Sequence, residues 1–486
     1  MAAAGSLRAC ESWLARADER PAVWLAGFAI VLAVQISPLW YAAPDGAAYL
    51  SIARSIASGE PITRFGDPQV SYPIGYPLLI SPAFLTGARP FLVLSLMHWI
   101  MAVVFMLGVY RWMRQQVGVG ALWLTGLVMA NVSVWTLYRR TLSEPAFLAV
   151  MMWTVNALDG VLDAGTEPAR RPRFGAARSV LVAGCLLVVL TAIREAGVLF
   201  GVGLALALLA SAVRGAVSRR GAAAALIVTG VAIVLALTSI RPERIAAAGP
   251  ALAGNLAGYA DAGSAISGSL SQRVYMRMSE IGQLLVPGMF HAYGRSWLDI
   301  NTAVYAPLLV AVVIGWWRLV RRRRDVFAVT APLYVGVHLL WPYVAGTRYL
   351  LPLLPLLVAC VWIHLEPHRQ WRLGVVALSL LANLGVAVGY WLVRDLPAAR
   401  ACARQWPAVE QLGAHIGADA GAVAAAGVPR CVPLMLALTL NRPVQEDGGP
   451  LAGTPARWMV VPERADPVSG FAPAASAGPY TLLRRR

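Results

Sequence analysis

The stretch PFLVLSLMHWIMAVVFMLGVY, residues 90–110, decides the class of this protein because it contains no Asp, Glu, Lys or Arg. A run of about 20 apolar residues is long enough to cross the hydrocarbon core of a bilayer as a helix. Similar runs recur along the chain, so the sequence predicts an all-α polytopic membrane protein with eleven spans. The other ten lie near 22–40, 119–138, 145–162, 179–193, 196–213, 221–240, 300–318, 326–343, 349–365 and 373–393.

The composition supports a membrane protein and excludes several classes of enzyme. Of 486 residues, 58% are hydrophobic and only 13% are charged, whereas a soluble domain carries roughly 25% charged residues. All 41 basic residues are arginine, which excludes a P-loop lysine and a Schiff-base lysine. The six histidines form no HExxH motif and the five cysteines form no CxxC pair. A small disulfide scaffold is therefore excluded as well.

The arginines are unevenly divided between the two sides of the predicted helices. The N-terminus and alternate short loops carry nineteen arginines, whereas the short loops of the other side carry four, Arg139, Arg140, Arg194 and Arg348. Short arginine-rich loops face the cytoplasm, so the N-terminus is predicted to lie inside and the C-terminus outside. The net charge of +17 is then a topology signal, and no nucleic-acid partner is predicted.

This topology places the long polar segments on the outer side of the membrane. A channel or carrier more often has short loops on both faces, and no inverted repeat of the kind seen in transporters is visible. The predicted organisation is a cytoplasmic N-terminus, a transmembrane domain with two large outer loops, and a small extracytoplasmic C-terminal domain. In the same order, these are residues 1–21, 22–393 (outer loops 41–89 and 241–299) and 394–486.

The C-terminal segment 394–486 is richer in proline and glycine and contains alternating apolar stretches. It is predicted to form a small α/β domain with strands near 431–438 and 457–461. Cys402 and Cys431 both fall in this segment. Because the segment is predicted to lie outside the cytoplasm, a disulfide between them and two unpaired thiols are equal alternatives.

The first outer loop opens with an amphipathic segment, PDGAAYLSIARSIAS, residues 44–58. Its apolar residues fall on one helical face, with Asp45 as the predicted N-cap and Gly59 as the C-terminal stop. A helix of about 14 residues is too short to span a bilayer, so it is predicted to lie at the membrane surface. An aromatic, proline-rich turn, SYPIGYPLL, follows at residues 71–79.

Four motifs occur in order between residues 25 and 365. The first loop joins the helix DGAAYLSIA to the turn YPIGYPLL, and RTLSEPAFL, TAIREAGVLF and TRYLLPLLPLL begin at Arg140, Thr191 and Thr347. Together they resemble GT-C membrane glycosyltransferases, which include the aminoarabinose transferases of lipid A, the protein O-mannosyltransferases and related bacterial multi-pass transferases. Where the usual pattern has paired acidic residues in the first loop, this chain has Asp45-Gly46.

The resemblance implies a membrane glycosyltransferase of the cell's inner membrane. Such an enzyme moves a sugar from a polyprenyl-phosphate donor to a lipid, glycan or protein acceptor on the outer face. The residue types suit that chemistry, because a carboxylate can deprotonate an acceptor hydroxyl. Arginine in turn stabilises a departing phosphate with paired N–H donors.

The resemblance and the predicted topology together give a set of candidate site residues. The catalytic carboxylates are Asp45 and Glu144, which are also the ligands of a divalent metal if one is required. The residues that bind the donor phosphate are Arg54, Arg194 and Arg348. The residues that contact the substrate are Tyr72, Tyr76 and His291. Purely structural roles stay open: a helix cap or dipole partner for the acids, snorkelling anchors for the arginines and an interfacial belt for the tyrosines.

Two other functions compete with glycosyl transfer. A transporter or flippase of a lipid or polyol would carry charged residues in the middle of its helices, whereas the charges here fall at helix ends. A non-catalytic membrane assembly factor would use its C-terminal segment to bind a partner, and it would leave Asp45 and Glu144 dispensable.

Overall fold

The structure is a computed structural model of the chain. It divides into two compact units, a helical unit (Met1–Val34, Trp99–Leu137 and Ser143–Gly389) and a mixed unit (Gln35–His98, Tyr138–Leu142 and Tyr390–Arg486). The structure describes residues 16–68, 72–87, 89–166, 173–213, 230, 270–286, 300–322, 325–340, 347–417, 423–442, 444–446, 456–465, 468 and 470–485.

Helices dominate the described residues. In chain order they are α1 Pro21–Ala33, α2 Pro44–Ser58, α3 Gly75–Ile80, α4 Phe91–Gln116, α5 Ala121–Ala130, α6 Val132–Arg139, α7 Glu144–Thr166, α8 Arg173–Ile193, α9 Val198–Val213, α10 Leu270–Leu285, α11 Ile300–Arg322, α12 Val326–Leu340, α13 Thr347–Leu350, α14 Leu354–His364, α15 Arg369–Tyr390, α16 Leu396–Ile416 and α17 Cys431–Leu440. The strands are β1 Thr63–Arg64, β2 Asp67–Pro68, β3 Val423–Ala425, β4 Val444–Glu446, β5 Trp458–Pro462, β6 Phe471–Ala477 and β7 Tyr480–Arg485.

Several of the helices meet the length and hydropathy needed to cross a membrane. By these criteria four candidate spans occur among the described residues, Phe91–Gln116, Glu144–Leu162, Thr347–His364 and Gly374–Ile416. The pair α5 and α6 would make a fifth, and four of the shorter apolar helices coincide with other predicted spans. The membrane-helical architecture is therefore confirmed, whereas the count of eleven stays a prediction. The predicted span near 221–240 lies outside the described residues apart from Gly230.

The predicted span near 119–138 is broken in the structure. Helices α5 and α6 meet at an angle of 57°, because Asn131 between them adopts an extended backbone (φ −61°, ψ 133°). The Asn131 side-chain oxygen accepts a hydrogen bond from the Ser133 N–H at 3.0 Å. This is an N-cap that starts a new helix, so one long apolar run becomes two helices.

The C-terminal part of the mixed unit contains a five-stranded sheet in the order β4-β3-β5-β7-β6. Strand β3 pairs in parallel with β4 and β5, whereas β7 pairs antiparallel with β5 and β6. A buried apolar cluster on this sheet includes Met459, Phe471 and Leu483. With α16 and α17 beside it in sequence, the sheet agrees with the predicted α/β character.

One predicted strand in this segment is wrong. The apolar run near 431–438 forms helix α17, which begins at Cys431 and ends where Asn441 adopts the left-handed conformation (φ 51°). A short apolar run does not distinguish a strand from a buried helix, and its leucines, methionine and alanine favour the helix. The other predicted strand, near 457–461, is found as β5. Cys402 of α16 and Cys431 are joined by a disulfide, with their Cα atoms 6.0 Å apart.

Candidate active site

Asp45 lies in the first turn of α2. Helix α2 begins at Pro44, whose fixed φ suits the first helical position, and Ala43 is the N-cap with an extended backbone. The predicted N-cap role of Asp45 is therefore wrong, although its negative charge still complements the helix dipole. The C-terminal stop is confirmed, because Gly59 ends α2 in the left-handed conformation at φ 70°.

Gly46 explains why a single carboxylate stands at this position. A Cβ atom at residue 46 would lie only 2.7 Å from the carbonyl oxygen of Thr141. The segment Tyr138–Leu142 therefore runs directly against the start of α2, and a side chain after Asp45 would push the two apart. The bridge between Tyr41 and Arg140 holds the same two segments together.

A group of tyrosines packs next to the Asp45 carboxylate. The Tyr72 hydroxyl donates a hydrogen bond to Asp45 Oδ1 at 3.2 Å, and Tyr49 packs edge-on against the rings of Tyr72 and Tyr76 at 5.1 and 5.0 Å. The Tyr76 hydroxyl pairs with His98 Nε2 at 2.9 Å. Burial, then the Asp45 charge, raises the pKa of Tyr72, so its hydroxyl stays protonated and can donate. Tyr76 is fully buried, whereas Tyr72 touches the carboxylate itself.

Glu144, Arg194 and Arg348 come together in the helical unit and are called the ionic trio below. Glu144 is the first residue of α7, and its Oε1 atom lies 2.6 Å from Arg194 Nη1 and 2.9 Å from Arg348 Nε. The Glu144 side chain is 3% exposed, and those of Arg194 and Arg348 are 17% and 31% exposed. The trio carries a net charge of +1 in a largely desolvated environment, where charge interactions are strong.

A break between two helices places Arg194 in this trio. Arg194 follows the last residue of α8 and has an extended backbone (φ −152°, ψ 135°) before a short 3₁₀ turn at Glu195–Gly197. A Cβ at Gly197 would lie 2.7 Å from the Thr191 nitrogen, so the tight turn requires glycine. The predicted break in the chain at Arg194-Glu195 is therefore confirmed as a break between two helices.

Aromatic rings surround the two arginines. The guanidinium carbon of Arg194 lies 5.1 Å from the centre of the Tyr349 ring, and that of Arg348 lies 4.8 Å from it. The Tyr334 hydroxyl donates to the Tyr349 carbonyl at 2.9 Å, which fixes the backbone next to Arg348. Arginine stacks favourably on aromatic faces, so the rings restrict both guanidinium groups.

A second buried ion pair in the helical unit was not predicted. Arg277 and Glu280 lie on α10, are 1% and 0% exposed, and approach to 2.6 Å. Arg277 Nε also donates to the His338 carbonyl at 3.0 Å, and the His338 ring stacks on Tyr334 at 4.7 Å. The charged residues of α10 share one helical face. Their spacing is visible in the segment RVYMRMSE, and this spacing is the sequence signal for the pair.

The remaining predicted site residues lie elsewhere. Arg54 is nine residues after Asp45 on α2, which places it about 13 Å further along the helix and on the opposite face. It lines a different cavity, together with Arg89, Trp406 and Glu410. His291 lies outside the described residues. The trio belongs to the helical unit and Asp45 to the mixed unit.

The described residues do not fit a divalent metal. No group of three His, Cys, Asp or Glu side chains in the described part of the chain could hold a metal ion. Glu144 faces two guanidinium groups, whereas a hard divalent cation requires several oxygen ligands of its own.

The structure thus defines a multi-pass membrane protein with a small C-terminal sheet, a buried cationic trio and a tyrosine-backed carboxylate. Its fold is shared with ArnT from Cupriavidus metallidurans bound to undecaprenyl phosphate (TM-score 0.56, 13% identity, 95% of this chain and 97% of ArnT). It is also shared with the archaeal oligosaccharyltransferase AglB from Archaeoglobus fulgidus in complex with an inhibitory peptide and a dolichol-phosphate (TM-score 0.53, 11% identity, 91% of this chain and 69% of AglB). The GT-C resemblance is confirmed at the level of the fold. No protein-family model matches the sequence, and no curated protein matches it.

Proposed function

We propose that this protein is a membrane glycosyltransferase that moves a sugar from a polyprenyl-phosphate donor to a lipid, glycan or protein acceptor. The observation that carries the proposal is the ionic trio, a desolvated cationic group assembled from three distant parts of the sequence. The shared fold supports the class of donor, because ArnT and AglB were solved with undecaprenyl phosphate and dolichol-phosphate.

Asp45 is proposed as the general base. Its carboxylate takes the proton of the acceptor hydroxyl as the acceptor oxygen attacks the anomeric carbon of the sugar. The bond between that carbon and the phosphate oxygen breaks, and its electron pair leaves with the polyprenyl phosphate. Tyr72 orients the carboxylate through its hydrogen bond to Oδ1, and Tyr49 holds Tyr72 in place.

Arg194 and Arg348 are proposed to stabilise the negative charge that grows on the departing phosphate. Arginine binds phosphate with two parallel N–H donors, and a desolvated setting strengthens that interaction. Glu144 is proposed as a positioning residue, because one of its oxygens lies within 3 Å of both guanidinium groups.

The topology predicted from the sequence is part of this proposal. Eleven spans with the N-terminus inside would place the ends of α2 and α7 that carry Asp45 and Glu144 on the outer side of an inner membrane. The segment 394–486 would then lie outside the cytoplasm, where the Cys402–Cys431 disulfide is chemically favoured. A reporter fused after Arg486 should be active outside the cytoplasm, and activity confined to the cytoplasm would contradict the orientation.

The test uses the purified full-length chain in lipid nanodiscs with a panel of polyprenyl-phosphate sugars. Release of polyprenyl phosphate and appearance of the sugar on an acceptor are measured together. The wild-type protein should show both, and Asp45→Asn should lose both while staying folded. Glu463→Gln is the matched control, since Glu463 is an exposed carboxylate of the same unit. Movement of donor across the bilayer without cleavage would instead support the transporter alternative.

A further inference from the structure

A charged cavity lies in the mixed unit and has no part in the reaction proposed above. Its volume is about 150 Å³, and its walls come from α2, the segment before α4, α16 and α17. A cavity of about this volume admits a benzene-sized molecule, and a phosphate group is smaller. Asp45 and the ionic trio are not among its lining residues.

Arg54 is the main charged group in this cavity. Its Nη2 atom is buried and has no hydrogen-bond partner, and its interaction with Glu60 is electrostatic only. A buried guanidinium N–H without an acceptor is costly. An anionic ligand in the cavity would supply that acceptor.

Arg89 and Glu410 line the same cavity as a half-exposed pair. Arg89 Nε donates to Glu410 Oε1 at 3.1 Å, and the Trp406 indole donates to the same oxygen at 2.7 Å. The side chains are 47% and 44% exposed, so their ion pair is screened by solvent and weak. The charged residues of the lining, two arginines and one glutamate, therefore have a net charge of +1 and favour an anion.

The rest of the lining suits an amphiphile. Phe84, Phe91, Trp406, Leu50 and Leu438 give the cavity apolar walls, and the Arg89 guanidinium lies over the Trp406 ring at 5.4 Å. Arg89 and Pro90 come directly before α4, which is a candidate membrane span. Lipid phosphates lie at the ends of membrane spans, in the headgroup region.

We propose that this cavity binds the phosphate group of an anionic membrane lipid, with Arg54 as its principal ligand and Arg89 as the second. Binding draws Arg89 partly away from Glu410 and gives the Arg54 Nη2 group an acceptor. The site is separate from the proposed donor-phosphate site, and it assigns to Arg54 a role other than the one predicted from the sequence.

The test measures lipid binding directly and does not require transferase activity. The full-length chain in detergent is titrated with phosphatidylglycerol, with zwitterionic phosphatidylcholine and with inorganic phosphate. Bound lipid is counted by native mass spectrometry, and phosphate binding is followed by calorimetry. The variants are Arg54→Gln and Glu410→Gln. The matched control is Arg404→Gln, because Arg404 is an exposed arginine of α16 that does not line the cavity.

Phosphatidylglycerol should bind the wild-type protein at least 10-fold more tightly than phosphatidylcholine. Arg54→Gln should weaken that binding by about 10-fold or more, as expected for a lost hydrogen bond between charged groups, whereas Arg404→Gln should not. Glu410→Gln should strengthen the binding, because it removes the carboxylate that competes for Arg89. If inorganic phosphate bound with the same dependence on Arg54 and the protein showed no preference among lipids, the cavity would be a phosphate site. The proposal that its ligand is a lipid would then be overturned. Equal lipid binding by Arg54→Gln and the wild type, with no Arg54-dependent phosphate binding, would overturn the proposal entirely.

Discussion

Asp45 and Glu144 occupy the same kind of local position and have opposite surroundings. Each lies in the first turn of a helix beside a proline, where the helix dipole favours a negative charge. Asp45 is half-buried and accepts a hydrogen bond from a neutral tyrosine. Glu144 is almost fully buried against two guanidinium groups. The local sequence therefore puts both carboxylates in the first turn of a helix, whereas the side chains that contact them in the folded protein determine their chemical roles.

The difference has a physical consequence for each role. The Glu144 carboxylate lies against two guanidinium groups and fixes their positions. The Asp45 carboxylate lies beside a neutral hydroxyl that orients it, which suits the proposed role of a general base. We therefore expect the base function to depend on Asp45 and the geometry of the donor-phosphate site to depend on Glu144.

The largest expected effect is on the rate after loss of the Asp45 carboxylate. Asp45→Asn keeps the shape and removes the basicity, so the transfer rate should fall about 10²–10⁴-fold with little change in thermal stability. Steady-state kinetics on the nanodisc preparation measure the fall, and Glu463→Gln should retain the wild-type rate. A fully active and folded Asp45→Asn protein would reduce Asp45 to a dipole partner of α2.

Loss of the Glu144 charge should act on stability and donor binding together. Glu144→Gln leaves two largely buried arginines without their counter-charge, which should cost about 3 kcal/mol of the free energy of unfolding and raise the donor KM. The matched control is Glu366→Gln, since the Glu366–Arg322 pair is about half exposed and should be worth about 1 kcal/mol or less. Equal destabilisation by both substitutions would remove the distinction between a desolvated trio and a surface pair.

The two arginines of the trio should be needed for donor affinity more than for turnover. Arg194→Gln or Arg348→Gln should weaken polyprenyl-phosphate binding about 10-fold or more. Arg348→Lys should bind polyprenyl phosphate more tightly than Arg348→Gln but less tightly than the wild type, because an ammonium group lacks the planar fork of guanidinium. Arg178→Gln, an exposed arginine of α8, is the control. An unchanged dissociation constant in Arg194→Gln would place the phosphate elsewhere.

The smallest expected effect concerns the tyrosine that touches Asp45. Tyr72→Phe removes one hydrogen bond and should slow transfer by about 5-fold. Because burial and Asp45 raise the pKa of Tyr72, its hydroxyl stays protonated above pH 10, the usual pKa of a tyrosine. The wild-type protein and Tyr72→Phe should therefore have the same pH profile near pH 10. A loss of activity near pH 10 in the wild type that is absent in Tyr72→Phe would contradict the donor role.

The sequence predicted the parts of this molecule that depend on local pattern. The amphipathic helix at Pro44–Ser58 and its stop at Gly59 follow from periodicity and from the conformational freedom of glycine. Glu144, Arg194 and Arg348 were predicted to lie together with Asp45 and Arg54, because outer helix ends share one depth in a membrane; the structure pairs only the first three. The pairing of both arginines with a single Glu144 oxygen could not be read from the sequence, since it depends on how the helices pack.

The errors have equally physical causes. The run near 431–438, predicted as a strand, is a helix, because a short apolar run of eight residues fits either structure. Asp45 is not a cap because Pro44 already starts the helix. The Arg277–Glu280 pair was missed because charged residues in a loop usually face water, whereas here both are buried.

The affinity of polyprenyl phosphate for three proteins tests the central contrast most directly. The dissociation constant is measured for the wild type, Asp45→Asn and Glu144→Gln in the same nanodiscs, without acceptor and therefore without turnover. We expect Asp45→Asn to bind like the wild type and Glu144→Gln to bind about 10-fold more weakly or worse, because only the second variant disturbs the arginines. Unchanged binding by Glu144→Gln, together with a large loss in Asp45→Asn, would contradict the division of roles between the two carboxylates.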